Sequence, residues 1–230
     1  MKYSILLLSA ILLFSSCSRI PRSKYKKPTK AYPEIKVDIQ NNKNEYAKRF
    51  KEASNMQKKG IILEVREYLF SQLTNEIFPS WYGTAWDFNG VTQVPNEGHI
   101  ACGYFVTTTL QDAGFDVPRI KWAQMASENM ITKATPHVTR FSNASMEEIE
   151  TWLASQEDAL YMVGLDNHTG FVCKKGNQMK FIHSSPYNEL GGVISESIDT
   201  HNPLAVSGYR VFGKILHDEM IVKWLNSEAL

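Results

Sequence analysis

Cys102 is the residue of this sequence that is best placed to act as a nucleophile. The apolar residues after it recur at spacings of three and four, which predicts a helix that begins at Cys102 and stops at Gly114. The first turn of a helix carries unpaired N–H groups and the positive end of the helix dipole. A thiolate is stabilised there, so we expect the pKa of this thiol to lie below its usual value of about 8.5. The alternative is a small buried side chain without a chemical role.

A thiol nucleophile needs a base, and the sequence has six histidines. His168 begins and His183 ends two predicted strands joined by a turn at 174–177, which sets both imidazoles side by side on one face. In that arrangement Cys102 attacks a carbonyl, His168 takes and returns the proton, and His183 holds the tautomer of His168. The other histidines lie in loops, turns or terminal segments that give no reason for rigidity: His99, His137, His201 and His217.

A zinc site made of the same three residues is the competing interpretation. The three positions are separated by 66 and by 15 residues, which does not resemble the spacing of zinc ligand pairs. The other cysteines, Cys17 and Cys173, complete neither a tetrahedral metal site nor a disulfide framework. We therefore expect no metal and no cofactor, and we expect Cys173 to be a core or surface thiol.

Charge and length exclude some classes of protein. The chain has 230 residues, with 25 basic and 24 acidic side chains and a net charge of +1, so no general field attracts nucleic acid. Its one basic cluster, residues 19–30, lies in a proline-containing segment and is typical of a solvated tether. The length fits one ordinary domain with additional segments.

The N-terminus indicates export. An apolar run from Ile5 to Phe14 is too short to cross a bilayer but fits the core of a signal peptide. Two serines and Cys17 follow, which resembles a bacterial lipobox with Cys17 as the lipidated first residue of the mature chain. Residues 1–16 are thus predicted to be a lipoprotein signal peptide, with a plain signal peptide as the alternative. We expect a cell-envelope protein, lipid-anchored on a periplasmic or outer-membrane face.

Elements in the remaining chain predict an α+β fold. Residues 17–43 are predicted to be a tether without a core, and 44–230 a catalytic domain that starts with packing helices over 44–78. Further helical patterns cover 119–135 and 145–155, the latter opened by a capping box, and short strands follow. Helices first and strands after favour a mostly antiparallel sheet.

An aromatic and glycine-rich loop precedes the cysteine helix. It contains Trp81, Tyr82, Trp86, Asp87 and Phe88. Such a loop can line a cleft, where we expect Trp81, Trp86 and Asp87 to contact substrate. The alternative is that its aromatic rings pack against the core and only hold the loop in place.

The order of the motifs resembles a known family. An aromatic–Gly loop is followed by Gly-x-x-x-Cys-Gly-Tyr-Phe-Val, His-Thr-Gly-Phe-Val, Phe-Ile-His-Ser-Ser, Gly-Gly-Val-Ile-Ser and Tyr-Arg-Val. Over about residues 80–212 this is similar to the NlpC/P60 cell-wall peptidases of the papain-like superfamily. The resemblance implies a nucleophile helix packed on the sheet, with Cys102 as nucleophile, His168 as base and His183 as third polar residue. It also implies that Tyr82 and the Cys102 backbone N–H form the oxyanion site.

The sequence departs from the family at its central motif. The family usually has Asp-Cys-Ser where this chain has Ala101, Cys102 and Gly103, and those two polar residues help to recognise a free amine. Asp87 or Glu97 could supply the lost carboxylate. The resemblance implies hydrolysis of amide bonds in peptidoglycan stem peptides, with peptidoglycan fragments and a membrane as partners. Alternatives are another amide, such as a muramoyl–alanine or protein amide, and a non-catalytic lipoprotein that binds wall fragments through the aromatic loop.

Overall fold

The computed structural model of the chain describes residues 27–187 and 191–230. The predicted signal peptide and Cys17 lie outside the described residues. The α+β class and the antiparallel sheet are confirmed. The helices are α1 (Tyr32–Glu52), α2 (Asn55–Gln72), α3 (Phe78–Trp81), α4 (Cys102–Asp112), α5 (Arg119–Ala123), α6 (Ser127–Ala134), α7 (Met146–Ser155), α8 (Pro203–Val206) and α9 (Asp218–Asn226). The strands are β1 (Val138–Ser142), β2 (Ala159–Leu165), β3 (Thr169–Lys175), β4 (Gln178–Ser185), β5 (Gly192–Ser197) and β6 (Tyr209–Lys214).

The six strands form one sheet in the order β1-β6-β2-β3-β4-β5, and each pairing between neighbours is antiparallel. All residues of β2 are buried, so the sheet carries apolar side chains on both faces. One face packs against α4 and the N-terminal helices, where the Phe78 and Phe171 ring centroids are 4.9 Å apart. The other face packs against α7 and buries Phe181 and Phe212. The sheet is therefore the middle layer of the fold.

Helix α4 begins and ends where its sequence predicts. Residues 103–110 are all buried, because this helix lies between the sheet and the surrounding helices. Three buried threonines are tolerated because each hydroxyl is hydrogen-bonded: Thr107 and Thr109 donate to carbonyls one turn earlier, and Thr108 accepts from Arg119. Gly114 ends the segment with φ of +88°, a conformation in which glycine avoids a steric penalty.

The predicted tether is wrong over its last part. Helix α1 starts at Tyr32 and buries Ile35 and Ile39, and Lys43 donates to the Gly114 carbonyl at 2.7 Å. Pro33 is compatible with this start because the first turn of a helix needs no N–H partner. Two isoleucines one turn apart are therefore enough to attach this polar segment to the domain.

Other elements also differ from the predicted ones. The strands β1 and β5 and the helix α9 were not expected, and the predicted helix over 119–135 is divided into α5 and α6. The predicted packing helix over 61–77 continues through a π-helical turn, Leu73–Ile77, into α3. The capping box at Ser145 and Glu148 is confirmed. Among the described residues, no helix combines the length and the apolar character that a bilayer span requires.

Candidate active site

Cys102 is the first residue of α4, and Ala101 before it is extended and provides no side-chain cap. The thiol faces the backbone N–H groups of Thr169, Gly103 and Cys102, which lower its pKa. Burial acts in the opposite direction and is the stronger effect, so the pKa of the Cys102 thiol is raised rather than lowered. The predicted depressed pKa is therefore wrong, and the resting sulfur is a thiol that needs a base.

The two predicted histidines lie in contact. His168 Nε2 is 2.8 Å from His183 Nδ1, which confirms that the hairpin of β3 and β4 brings the rings together. His183 is fully buried and stacks on Phe181, with ring centroids 4.0 Å apart. Gly170 makes this approach possible, because a Cβ there would lie 2.8 Å from the His183 Cβ and 2.7 Å from the Ile182 carbonyl oxygen.

A carboxylate that no sequence pattern predicted lies on the far side of His183 from His168. Glu196 Oε1 lies 2.8 Å from His183 Nε2. Glu196 pairs with Phe181 across β4 and β5, which places it diagonally opposite His183, two positions along the strand. The only sequence signal is the short Val-Ile-Ser-Glu run after two glycines, and it does not indicate which strand becomes its neighbour.

The hydrogen bonds define which ring nitrogens carry protons. A carboxylate only accepts, so His183 Nε2 donates to Glu196, and the Nδ1 of a neutral His183 must then accept. His168 Nε2 is therefore the donor in the contact between the rings. The Nδ1 of a neutral His168 then carries a lone pair rather than a proton.

Burial keeps both rings neutral. Burial and the proximity of His183 lower the pKa of His168 to about 3. Burial also lowers the pKa of His183, although the Glu196 carboxylate opposes this effect. At neutral pH His168 is thus unprotonated, which is the state a general base requires.

Cys102 and His168 line the same cleft, which has a volume of about 460 Å³. Helix α4 and the start of β3 form one wall, and residues 123–130, from the end of α5 into α6, form the other. Ser184, next to His183, donates to the Ile100 carbonyl at 2.6 Å and so connects β4 to the segment that leads into Cys102. Cys102 and His168 are therefore held by one connected set of strands and helices.

Gly103 follows Cys102 and has no room for a side chain. A Cβ at this position would lie 2.4 Å from the Ala123 carbonyl oxygen, a distance that side chains do not adopt. The end of α5 thus occupies the space that a serine would need. The glycine at position 103 and the cleft wall formed by residues 123–130 therefore depend on each other.

The aromatic loop does not contribute to the cleft as predicted. Trp81 is fully buried and its Nε1 donates to the Tyr32 hydroxyl at 2.7 Å, so the predicted contact of Trp81 with substrate is wrong. Trp86 is half-buried, and exposed Asp87 accepts the N–H of Asn89 and so closes its own turn. Of the described residues that line the Cys102 cleft, none belongs to this loop.

Tyr82 lines a second cleft of about 440 Å³, together with Tyr32 and Asn96. The role of Tyr82 in an oxyanion site stays a prediction. Glu97, the other carboxylate considered as a replacement for the family's aspartate, is exposed.

A zinc ion held by the same triad does not fit this arrangement. Both ring nitrogens of His183 are engaged, one with His168 and the other with Glu196, so His183 has no lone pair left for a metal. Cys102 and Cys173 are both free thiols.

Comparison of the chain with protein-family models, with curated proteins and with solved structures gave no match.

Proposed function

We propose that this protein is a cysteine hydrolase of amide bonds. The observation that supports the proposal is the hydrogen-bonded series Glu196, His183 and His168, together with a cleft that both His168 and Cys102 line.

The first half of the reaction forms a thioester. His168 Nδ1 takes the proton of the Cys102 thiol, and the sulfur attacks the carbonyl carbon of the amide. The N–H groups of the first turn of α4 stabilise the negative oxygen of the tetrahedral intermediate. His168 then returns its proton to the nitrogen, the C–N bond breaks and the amine leaves.

Water completes the turnover. It gives a proton to His168 Nδ1 and attacks the thioester carbon, the C–S bond breaks, and the proton returns to the sulfur. A carboxylic acid is released and the Cys102 thiol is restored. Throughout, the Glu196 carboxylate stabilises positive charge on the histidine pair through His183.

The substrate class that we propose is the stem peptide of peptidoglycan. Its support is the resemblance of the motifs around Cys102, His168 and His183 to NlpC/P60 peptidases, together with the signal peptide predicted over residues 1–16, directly before Cys17. The proposal includes the papain-like fold, and a lipid anchor that holds the enzyme in the cell envelope, close to its polymer. Gly103 lacks the hydroxyl that serves amine recognition in the family, so we propose that the enzyme does not depend on that contact.

The test is digestion of purified peptidoglycan fragments with product identification by mass spectrometry. We expect Cys102→Ala to abolish cleavage, while Cys173→Ala, which removes the other free thiol of the described residues, leaves it intact. Equal turnover by the Cys102→Ala variant would refute the mechanism.

The products also separate the alternative functions. Release of free stem peptide indicates cleavage of the muramoyl–alanine amide, and shortened stems indicate cleavage within the peptide. A non-catalytic wall-binding protein would yield no product, and a thiol-reactive inhibitor would not label its Cys102 faster than Cys173.

A further inference from the structure

A second cluster of chemically active side chains lies away from the cleft. It consists of His137, just before the edge strand β1, together with His217 and Glu219 at the start of α9. One ligand atom of each residue lies within 4.8 Å of the other two. None of these residues lines the Cys102 cleft, so the cluster has no part in the proposed hydrolysis.

His217 is the unusual member of the cluster. Its side chain is only 10% exposed, and within the part of the chain that the structure describes, neither of its buried ring nitrogens makes a hydrogen bond of good geometry, although the Ala134 backbone lies near the ring. An unsatisfied buried polar group costs free energy of about 1–3 kcal/mol, so such an imidazole needs a reason to be there. Binding of a metal ion to the lone pair of the ring would be such a reason.

We propose that His137, His217 and Glu219 bind a zinc ion. Zinc prefers histidine nitrogen and carboxylate oxygen at about 2.0–2.2 Å, and two such ligands at the corners of a tetrahedron lie about 3.4 Å apart. The Nδ1 of His217 lies 3.4 Å from Oε2 of Glu219. The His137 ring faces the His217 ring in an edge-to-face arrangement, with centroids 4.9 Å apart.

The surroundings of the cluster allow a metal ion to enter and to gain a fourth ligand. His217 is held by its burial, whereas His137 and Glu219 are exposed and can rotate onto a metal. A cleft of about 430 Å³ that both histidines line lies beside the cluster, so water can enter as the fourth ligand. With three protein ligands from two elements, the ion would join the edge strand β1, which pairs only with β6, to the C-terminal helix. We infer that it stabilises the fold.

The test is zinc titration of the purified chain in a Cys102→Ala background, so that the catalytic thiol cannot capture the metal. We expect one zinc per chain by calorimetry and a rise in Tm of about 5 °C at a hundredfold excess over Kd. His137→Ala and Glu219→Gln should each weaken binding by about tenfold or more. His201→Ala removes an exposed histidine outside the cluster and should leave the affinity unchanged.

Two results would overturn the proposal. One is unchanged zinc affinity in both His137→Ala and Glu219→Gln, which would place any bound metal elsewhere. The other is the lack of any heat of binding and any Tm shift up to about 100 µM zinc. Magnesium is the control cation, because it demands oxygen ligands and should neither bind nor raise the Tm.

Discussion

The Glu196 carboxylate lies 2.8 Å from His183 Nε2, at the end of the histidine pair remote from the base nitrogen. Through this bond Glu196 decides the tautomer of His183, and His183 in turn decides which nitrogen of His168 is free. Glu196 acts through its neighbours and is a positioning residue.

We expect Glu196→Leu to lower kcat by about 10²–10⁴-fold, because the base can then adopt the wrong tautomer. KM should change little, since the side chain does not line the cleft. Glu196→Gln keeps an acceptor oxygen without the charge and should fall between wild type and the leucine variant. Exposed Asp199→Asn is the control, and an unchanged kcat in Glu196→Leu would contradict this role.

The pH dependence of kcat/KM should have an unusually acidic lower limb. The pKa of His168 is lowered to about 3, so the ring stays unprotonated, as a base must be, well below the usual histidine pKa of about 6.5. Burial raises the pKa of the Cys102 thiol, which keeps the reacting thiol protonated to alkaline pH. Initial rates on an amide substrate should therefore form a broad plateau. A midpoint near pH 6.5 on the acid side would contradict this expectation.

Folding stability should decrease as the pH falls from about 6.5 towards 3. His168 has a lower pKa in the folded state than in the unfolded state, so the unfolded chain binds the additional proton in this range. One such histidine contributes a slope of about 1.4 kcal/mol per pH unit, and His183 acts in the same direction.

Urea unfolding at several pH values measures this slope. His168→Gln should flatten it, because one titrating group is removed. The same substitution at exposed His201 is the control, and an equal flattening there would show that the buried pair is not the cause.

Serine at position 103 should destabilise the protein. Its Cβ would lie 2.4 Å from the Ala123 carbonyl oxygen, so α5 would have to move, at a cost of about 1–3 kcal/mol. Gly60→Ser, at an exposed position with nothing within 4 Å of an added Cβ, should be nearly neutral. Chemical denaturation compares the two, and equal effects would argue against the close contact of α4 with α5.

Helix α1 should contribute measurably to stability. Ile39→Ala is expected to cost about 2–5 kcal/mol, because the side chain is 1% exposed and its removal leaves a cavity. Val37→Ala, two positions earlier and 58% exposed, should cost less than about 0.5 kcal/mol. Equal, small changes in the urea midpoint would mean that this helix is not part of the core.

Local patterns predicted a good part of the site. The contact of His168 with His183 follows from two strands with a short turn, where strand alternation and turn length decide which side chains meet. The spacing of apolar residues likewise predicted where α4 begins, and the capping box predicted the start of α7. Each of these signals involves residues close together in the chain.

Other features depend on contacts between distant segments. Glu196 reaches His183 only because β5 adds to the sheet beside β4 in one register. Trp81 is buried where Tyr32 of α1 and Phe105 of α4 contact its ring. The first part of α1, up to residue 43, was predicted to be a tether because its apolar pair is surrounded by polar residues. The predicted direction of the pKa shift of Cys102 was wrong, because burial raises the pKa more than the backbone N–H groups at the helix terminus lower it.

The sequence by itself determined the fold class, the place of Cys102 on its helix and the pair of histidines on one hairpin, because periodicity and turn chemistry act over a few residues. Only the tertiary structure decided the protonation of the pair, the carboxylate behind it, the wall that excludes a serine at position 103, and the approach of His137 to His217. Burial, strand register and the electrostatics of close contacts are set by which distant segments meet in space, and no local pattern encodes that information.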